Sequence, residues 1–212
     1  VFNLETKLFP CLVDMRFKGV RVDLEKAANI KKNLMDREAK IVSKIKGLTG
    51  IDVEIHAARS IAKAFDKLKL PYDRTEKANE PSFTKNFLQN HPHELARSIA
   101  DAREINKAHT TFIDSITKHS HNGRIHADIN QIRSDQGGTV TGRFSYSNPN
   151  LQQLPARNKD LGPLIRSIFI PEKGHRWGSF DYSQQEPRLV VHYAALHKFP
   201  SVNDVIDNYE ND

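Results

Sequence analysis

Residues 177–192 read Trp177-Gly-Ser-Phe-Asp181-Tyr-Ser-Gln-Gln-Glu186-Pro-Arg188-Leu-Val-Val-His192. The start of this stretch predicts a short buried strand that ends at Asp181, followed by a tight turn and a helix from about Ser183. An acid at the end of a strand is held more rigidly than an acid on a loop, as a metal ion or a reacting phosphate requires. The helix is expected to send Glu186 and Arg188 back toward the carboxylate of Asp181.

Asp181 on its own is explained more simply as the N-cap of the following helix, because Asp is a favoured capping residue. Its neighbours favour a functional site instead. Polar and charged side chains crowd residues 181–188, and a purely structural junction between a strand and a helix needs fewer of them. Asp181 is therefore a candidate functional carboxylate.

A second informative run reads Thr139-Val-Thr-Gly142-Arg143-Phe-Ser-Tyr-Ser-Asn-Pro-Asn150-Leu-Gln152-Gln-Leu-Pro-Ala-Arg157. Base pairs present acceptors in the minor groove at nearly equivalent positions, so neutral donors and arginine can test duplex shape without reading sequence. Arg143, Asn150 and Gln152 supply such donors, and Gly142 allows a close backbone approach. From the residues alone, a well-hydrogen-bonded surface loop is the better explanation, since Ser, Asn, Pro and Gly are ordinary turn residues.

The composition indicates a globular chain that stays out of membranes. Its 212 residues, with a net charge of +6, can form one large domain or two small ones. The lone Cys11 excludes an internal disulfide and fits a reducing, cytoplasmic compartment. No apolar run approaches the ~20 residues of a membrane span. The chain opens at Val1 without an initiator Met or a signal peptide, so we expect a piece of a longer protein.

Other chemistries lack their sequence signatures. The sequence has no GxxxxGK phosphate loop, no nucleophile elbow and no set of Cys and His residues for zinc. Apolar periodicity instead predicts mostly helix in the first half of the chain. The predicted helices run from a cap at Asp23 to Gly47 or Gly50, from His56 to Lys69, from Thr84 to Gln89, and from His93 to His119.

Strand signals are sparse. Residues 4–22 alternate apolar residues with charged ones and end in a strand or turn signal, Phe17-Lys-Gly19-Val-Arg-Val22. After a turn at Asn122-Gly123, the alternation of Ile125, Ala127 and Ile129 predicts a half-buried strand.

Asp181-Tyr-Ser-Gln-Gln-Glu186-Pro-Arg188 resembles motif A of the family A (DNA polymerase I type) DNA polymerases, usually Asp-Tyr-Ser-Gln-Ile-Glu-Leu-Arg. The run that starts at Thr139 is similar to the family's Thr-x-x-Gly-Arg-Leu-Ser…Pro-Asn-Leu-Gln-Asn-Ile-Pro signature. The two motifs stand in the family's order, and the resemblance extends over essentially the whole chain. Gln185 and Pro187 depart from motif A and hint at a phage-like branch. Proline is tolerated there because an N–H in the first helical turn has no partner within the helix.

The resemblance implies an α+β fold, with a mostly helical thumb subdomain followed by the start of a β-sheet palm. Residues 1–22 would be the start of the polymerase region, residues 23–122 the thumb, and residues 123–212 the N-terminal part of the palm. The implied activity is that of a DNA-directed DNA polymerase, which adds deoxynucleotides to a primer 3′-hydroxyl in DNA replication.

The resemblance also assigns roles to residues. Asp181 would be the catalytic residue and a Mg²⁺ ligand, with the backbone carbonyl of Tyr182 as a second ligand. Glu186 would pack at the sugar edge of the nucleotide, where a ribose 2′-hydroxyl would collide. The deoxynucleoside triphosphate would be contacted by Tyr182, Ser183, Gln184 and Glu186. Primer–template DNA would be contacted by Arg143, Asn150, Gln152 and Arg157, and motif A would be supported by Arg188 and His192.

A two-metal site needs at least one further carboxylate. The family supplies it from a His-Asp-Glu motif, and that tripeptide does not occur in this sequence; neither does the fingers helix. We therefore expect the second carboxylate, the fingers and the remaining palm elsewhere in the same polypeptide, and no activity from these residues alone.

Three alternatives stay open. One is a single-subunit RNA polymerase, against which Glu186 and the neighbouring Ser-Gln argue. Another is a noncatalytic DNA-binding module derived from a polymerase. The last is a helical interaction protein with fortuitous motifs, which the extent of the resemblance makes remote.

Overall fold

The computed structural model describes residues 2–135 and 137–210, and it divides into two compact units, Val1–Glu172 and Lys173–Asp212. Both units are mainly helical, and the strands are short and antiparallel, so the predicted α+β class is confirmed. None of the helices within these ranges has the length and apolar character that crossing a membrane would take.

The helices of the first unit are α1 Phe2–Lys18, α2 Leu24–Thr49, α3 Ala58–Lys67, α4 Lys85–Asn90, α5 Glu94–Lys107, α6 Asp114–Lys118 and α7 Leu161–Arg166. A π-helical turn, Ala108–Ile113, joins α5 to α6, and a 3₁₀ turn covers Leu151–Gln153. The second unit contains α8 Gln185–Leu196 and α9 Val202–Glu210.

The strands are β1 Val20–Arg21, β2 Asp73–Arg74, β3 Pro81–Ser82, β4 Ser120–His121, β5 Arg124–Ile125, β6 Asp128–Asn130 and β7 Ser145–Ser147. They form a sheet in the order β1-β5-β4, with Val20 opposite Ile125, and two hairpin-like pairs, β2-β3 and β6-β7. In the β6-β7 pair Ile129 lies opposite Tyr146. This pairing attaches the polar run that starts at Thr139 to strand β6.

Helix α2 begins and ends as its capping residues predict. The side chain of Asp23 accepts a hydrogen bond from the backbone N–H of Lys26 at 2.8 Å. Gly50 closes the helix with a φ of 65° and donates its N–H to the carbonyl of Lys46. Gly47 lies inside the helix, so the earlier of the two predicted ends is wrong.

The predicted helix from His93 to His119 is confirmed, with one change of geometry. His93 caps α5 by accepting from the N–H of Leu95, and the helix continues through the π-helical turn into α6. The turn carries His109, which is buried and places its Nε2 atom 2.5 Å from a carboxylate oxygen of Glu38 on α2. The same carboxylate accepts from Asn106 at 2.9 Å.

Two apolar clusters form the core of the first unit. One joins α2, the π-helical turn, α6, β5 and α7, with Leu34, Ile116 and Ile165 fully buried. The other surrounds Phe65 of α3, which packs against α4, the first turns of α5 and the β2-β3 region. The apolar periodicity that predicted these helices is thus explained by burial in the two clusters, against the first of which Phe112 packs while partly buried.

The N-terminal stretch is mostly helical, and the strand or turn signal at its end corresponds to a short strand. Residues 2–18 form α1, and only Val20–Arg21 at its end is a strand. Leu8 and Leu12, one helical turn apart, are its least exposed apolar residues, while Arg16 pairs with Asp128 of β6 at 2.5 Å. Spacing of four residues therefore describes this segment better than spacing of two.

Candidate nucleic-acid interface and carboxylate site

A tight loop presents Arg143 on the surface of the first unit. Gly142 adopts a φ of 76°, a left-handed conformation that side-chain-bearing residues rarely take. The hydroxyl of Thr139 donates to the carbonyl oxygen of Arg143 at 2.7 Å, which closes the loop. Strand β7 begins two residues later, so the loop is anchored on the β6-β7 pair.

Asn150 and Gln152 lie beside this loop rather than far along the chain. The side-chain oxygen of Asn150 accepts from the N–H of Gln152 at 3.1 Å and so caps the 3₁₀ turn. The amide nitrogen Nε2 of Gln152 donates to the carbonyl of Phe144 at 3.1 Å. The structure thereby brings Arg143, Asn150 and Gln152 to one exposed surface.

Arg157 is exposed beside a neighbouring groove. The groove has a volume of about 500 Å³ and separates α4, α5 and the π-helical turn from residues 153–161. Three further cations and one ring line it: Lys85, Arg103, Lys107 and Phe112. The Nζ atom of Lys107 lies 5.7 Å from the ring centre of Phe112. Arg103 faces inward in part, since it donates to the carbonyls of Ile55 and Phe83.

Asp181 lies in the second unit, and its predicted buried strand is wrong. Residues 175–182 form neither strand nor helix, and their side chains are exposed. A strand requires a neighbouring backbone to pair with, and no described segment pairs with residues 177–181. The tight turn and the helix that follow are confirmed, with α8 starting at Gln185.

The capping explanation of Asp181 is also wrong. The residue before α8 is Gln184, with a φ of 50° and no capping hydrogen bond from its side chain. Glu186 and Pro187 lie in the first turn of α8, where an acid interacts favourably with the helix dipole and proline costs no hydrogen bond. Asp181 therefore does not cap α8.

Arg188 makes contacts that the sequence did not predict. It donates from Nε to the carbonyl of Ser183 and from a terminal nitrogen to the carbonyl of Tyr209, each at 3.0 Å. Its guanidinium also lies 4.8 Å from the ring centre of Tyr209. Arg188 therefore links the turn after Asp181 to α9. His192 is exposed and lies against the ring of Tyr193, with ring centres 5.6 Å apart.

The magnesium prediction finds partial support in the donor chemistry. Mg²⁺ prefers octahedral oxygen ligands and usually binds one or two carboxylates together with substrate phosphates and waters. The exposed carboxylate of Asp181 and the carbonyl of Tyr182 are donors of this type. Over residues 2–135 and 137–210, no three His, Cys, Asp or Glu side chains cluster as a metal site would require. Asp181 and Tyr182 could therefore supply some, but not all, of the oxygen ligands of a magnesium ion.

Comparison with known proteins identifies the family. The family model described as "DNA polymerase family A" matches residues 24–204. This match covers most of the chain, including both motifs and helices α2 to α8. The chain belongs to DNA polymerase family A.

The relatives are phage and bacterial polymerases. The chain is 35% identical over 229 residues to a DNA-directed DNA polymerase of Pseudomonas phage M6, covering 100% of this chain and 34% of that protein. It is 33% identical to DNA polymerase DpoZ of Acinetobacter phage SH-Ab 15497, covering 99% and 36%. It is 32% identical to the thermostable DNA polymerase I of Thermus aquaticus, covering 91% and 23%. The chain thus spans about a third of its phage relatives.

A solved structure shares the fold. The POL domain of Pol1 from M. smegmatis, in complex with DNA primer-template and dNTP, superposes with a TM-score of 0.67 at 23% identity. The match covers 78% of this chain and 29% of that one. It supports the fold described above.

Proposed function

We propose that this chain is the thumb and the N-terminal palm of a DNA-directed DNA polymerase that acts in replication. Residues 1–22 form the start of the polymerase region, residues 23–122 the thumb and residues 123–212 the first part of the palm. The observation that carries the proposal is motif A, Asp181 to Arg188, within a family match over residues 24–204. Phage relatives of about 35% identity favour a phage-like replicative enzyme that works in the host cytoplasm.

Primer–template DNA is held at the surface around Arg143. The guanidinium and the exposed amide of Asn150 suit minor-groove acceptors, which lie at nearly equivalent positions in every base pair. Gln152 and Arg157 complete the DNA-binding set, Arg157 from the edge of the groove beside α5. Arg143 and Arg157 bring positive charge to the duplex and displace its condensed counterions, so binding falls as salt rises.

Asp181 is the catalytic carboxylate, and with the carbonyl of Tyr182 it would hold Mg²⁺. Bound there, Mg²⁺ would lower the pKa of the primer hydroxyl and neutralise the leaving pyrophosphate. Tyr182, Ser183, Gln184 and Glu186 bind the deoxynucleoside triphosphate, and Glu186 excludes the 2′-hydroxyl of a ribonucleotide. Arg188 supports this turn through Ser183 and Tyr209. His192, one turn further along α8, is proposed to have the same supporting role.

The second carboxylate and the fingers belong to other residues of the same polypeptide. The printed sequence has no His-Asp-Glu motif, and the chain spans 34% of the phage M6 relative. We therefore expect no Mg²⁺-dependent primer extension from the 212 residues alone.

A chimera tests the proposal. These residues replace the matching third of the phage M6 polymerase, and primer extension is measured with deoxynucleotides and with ribonucleotides. We expect extension with deoxynucleotides, and a loss of about 10³-fold or more on Asp181→Asn, as for other large charge-stabilising contributions to catalysis. Asp204→Asn, on the exposed face of α9, is the matched control and should retain activity.

Two results would favour the alternatives. A chimera that binds primer–template DNA but does not extend the primer would favour a noncatalytic DNA-binding module. Equal use of ribonucleotides and deoxynucleotides would favour a single-subunit RNA polymerase.

A further inference from the structure

The loop that presents Arg143 is held from both sides by side chains. Its carbonyl oxygen at Arg143 accepts from the hydroxyl of Thr139, and the next carbonyl, at Phe144, accepts from Nε2 of Gln152. Two consecutive peptide groups are thus fixed by two residues that lie four positions before and eight positions after them. Gly142 supplies the left-handed turn between these anchors.

We infer that Thr139 and Gln152 are positioning residues, which act on DNA through the backbone that carries Arg143. This inference rests on the proposed function, in which Arg143 contacts the primer–template minor groove. It changes the role of Gln152, whose amide was predicted to contact DNA directly. In the structure one donor of that amide is spent on Phe144, 3.1 Å away.

Asn150 has a separate part in the same arrangement. Its side-chain oxygen accepts from the N–H of Gln152 at 3.1 Å and so fixes the start of the 3₁₀ turn. Because the side-chain oxygen is used in this hydrogen bond, the amide nitrogen of the exposed Asn150 is the group that can donate to DNA. Asn150 therefore remains a direct contact, and it also sets the position from which Gln152 reaches Phe144.

The physical reason for such an anchor is entropy. A glycine-containing loop loses conformational freedom when it binds, and fixing the loop in advance reduces that cost. Each anchoring hydrogen bond is exposed and neutral, so its loss should change binding by roughly two- to tenfold.

The first experiment tests the anchors without DNA. Trypsin cleaves after arginine, and the carbonyl of the bond between Arg143 and Phe144 is the group that Thr139 holds. Thr139→Val and Gln152→Leu should speed cleavage at this bond roughly two- to tenfold, because local opening exposes it. Thr139→Ser keeps the hydroxyl, and Gln153→Leu changes an exposed neighbour in the same 3₁₀ turn, so both should match the original chain. Equal cleavage of all variants overturns the inference.

The second experiment separates positioning from direct contact. Binding of a fluorescein-labelled primer–template duplex is measured for each variant, alone and together with Arg143→Ala. If Thr139 and Gln152 act through Arg143, their substitutions weaken binding alone and change it less than about twofold when Arg143 is already Ala. Full, additive losses in the Arg143→Ala background would show that these side chains touch DNA themselves, and would overturn the inference.

The two proposals fail in different ways. If Arg143→Ala leaves binding unchanged, the DNA-binding role of this surface is wrong, and with it the positioning of Arg143 for DNA. If Arg143→Ala weakens binding while the two anchor variants bind as well as the original chain, the proposed function stands and the positioning inference is wrong.

Discussion

Glu38 of α2 and His109 of the π-helical turn form a polar contact inside the first unit. One carboxylate oxygen lies 2.5 Å from Nε2 of His109, and the other accepts from Asn106. Nδ1 of His109 is buried and has no hydrogen-bond partner among the described residues. The imidazole therefore depends on Glu38 for its polar contact, which joins α2 to the turn between α5 and α6.

Replacing Glu38 with Ala should lower the free energy of unfolding by about 1–3 kcal/mol, because it leaves a buried imidazole nitrogen without a partner. Urea denaturation measures the change. Glu25→Ala is the matched control, since Glu25 lies on the same helix with an exposed side chain. A loss for Glu38→Ala no larger than that of the control would contradict this account of the contact.

At the residue level, the sequence identified the groups but not their partners. Arg143, Asn150 and Gln152 were singled out because their donors suit the minor groove, and the structure brings them to one surface. That Gln152 donates to Phe144, and that Arg188 reaches Tyr209, depends on side-chain distances between residues eight and twenty-one positions apart. No periodicity in the sequence carries that information.

At the scale of elements, Glu172 ties the small sheet to the end of the first unit. Arg124 of β5 donates to one of its carboxylate oxygens at 2.6 Å, and Arg21 of β1 lies 3.9 Å from the other. The hydrogen bond from Arg124 is the main cause that holds the pKa of Glu172 below its ordinary value of 4.5. Desolvation of the carboxyl acts in the opposite direction, and the positive charge of Arg124 adds to the lowering. A carboxyl with a lowered pKa in the folded protein adds stability above its unfolded pKa and loses it as the pH falls through the folded value.

Glu172→Gln should therefore be less stable than the original chain at about pH 6, and the difference should shrink as the pH falls below about 4.5. Urea denaturation at several pH values measures it. Glu76→Gln, in the exposed loop between β2 and β3, provides a control for removing a carboxylate. A difference that stays constant or grows toward acid pH would show that the pair with Arg124 does not act as described.

Elements were predictable where their signals are local. Caps at Asp23 and Thr84 and the glycine at position 50 fixed helix ends correctly, because each bonds within a few residues. The strand predicted before Asp181 is absent, because a strand depends on a partner backbone that a local pattern cannot reveal. The π-helical turn was missed for a similar reason. Its buried His109 faces a carboxylate on another helix.

At the scale of the whole molecule, the chain is a family A polymerase region that spans about a third of its phage relatives. The two motifs that pointed to this family lie in different compact units. Arg143 and its anchors belong to the first unit, and Asp181 and Arg188 belong to the second. DNA binding through the Arg143 surface can therefore be tested separately from the role proposed for Asp181.

The most direct test of the central claim is the affinity of the 212-residue chain for a fluorescein-labelled primer–template duplex, measured by anisotropy across a series of salt concentrations. We expect binding that weakens steadily between about 50 and 200 mM salt, since cationic side chains that approach the duplex release its condensed counterions. Arg143→Ala should weaken binding by roughly tenfold at fixed salt, in line with one charged contact of about 1–3 kcal/mol. Binding that is unchanged by salt and by Arg143→Ala would contradict the claim that this surface holds primer–template DNA.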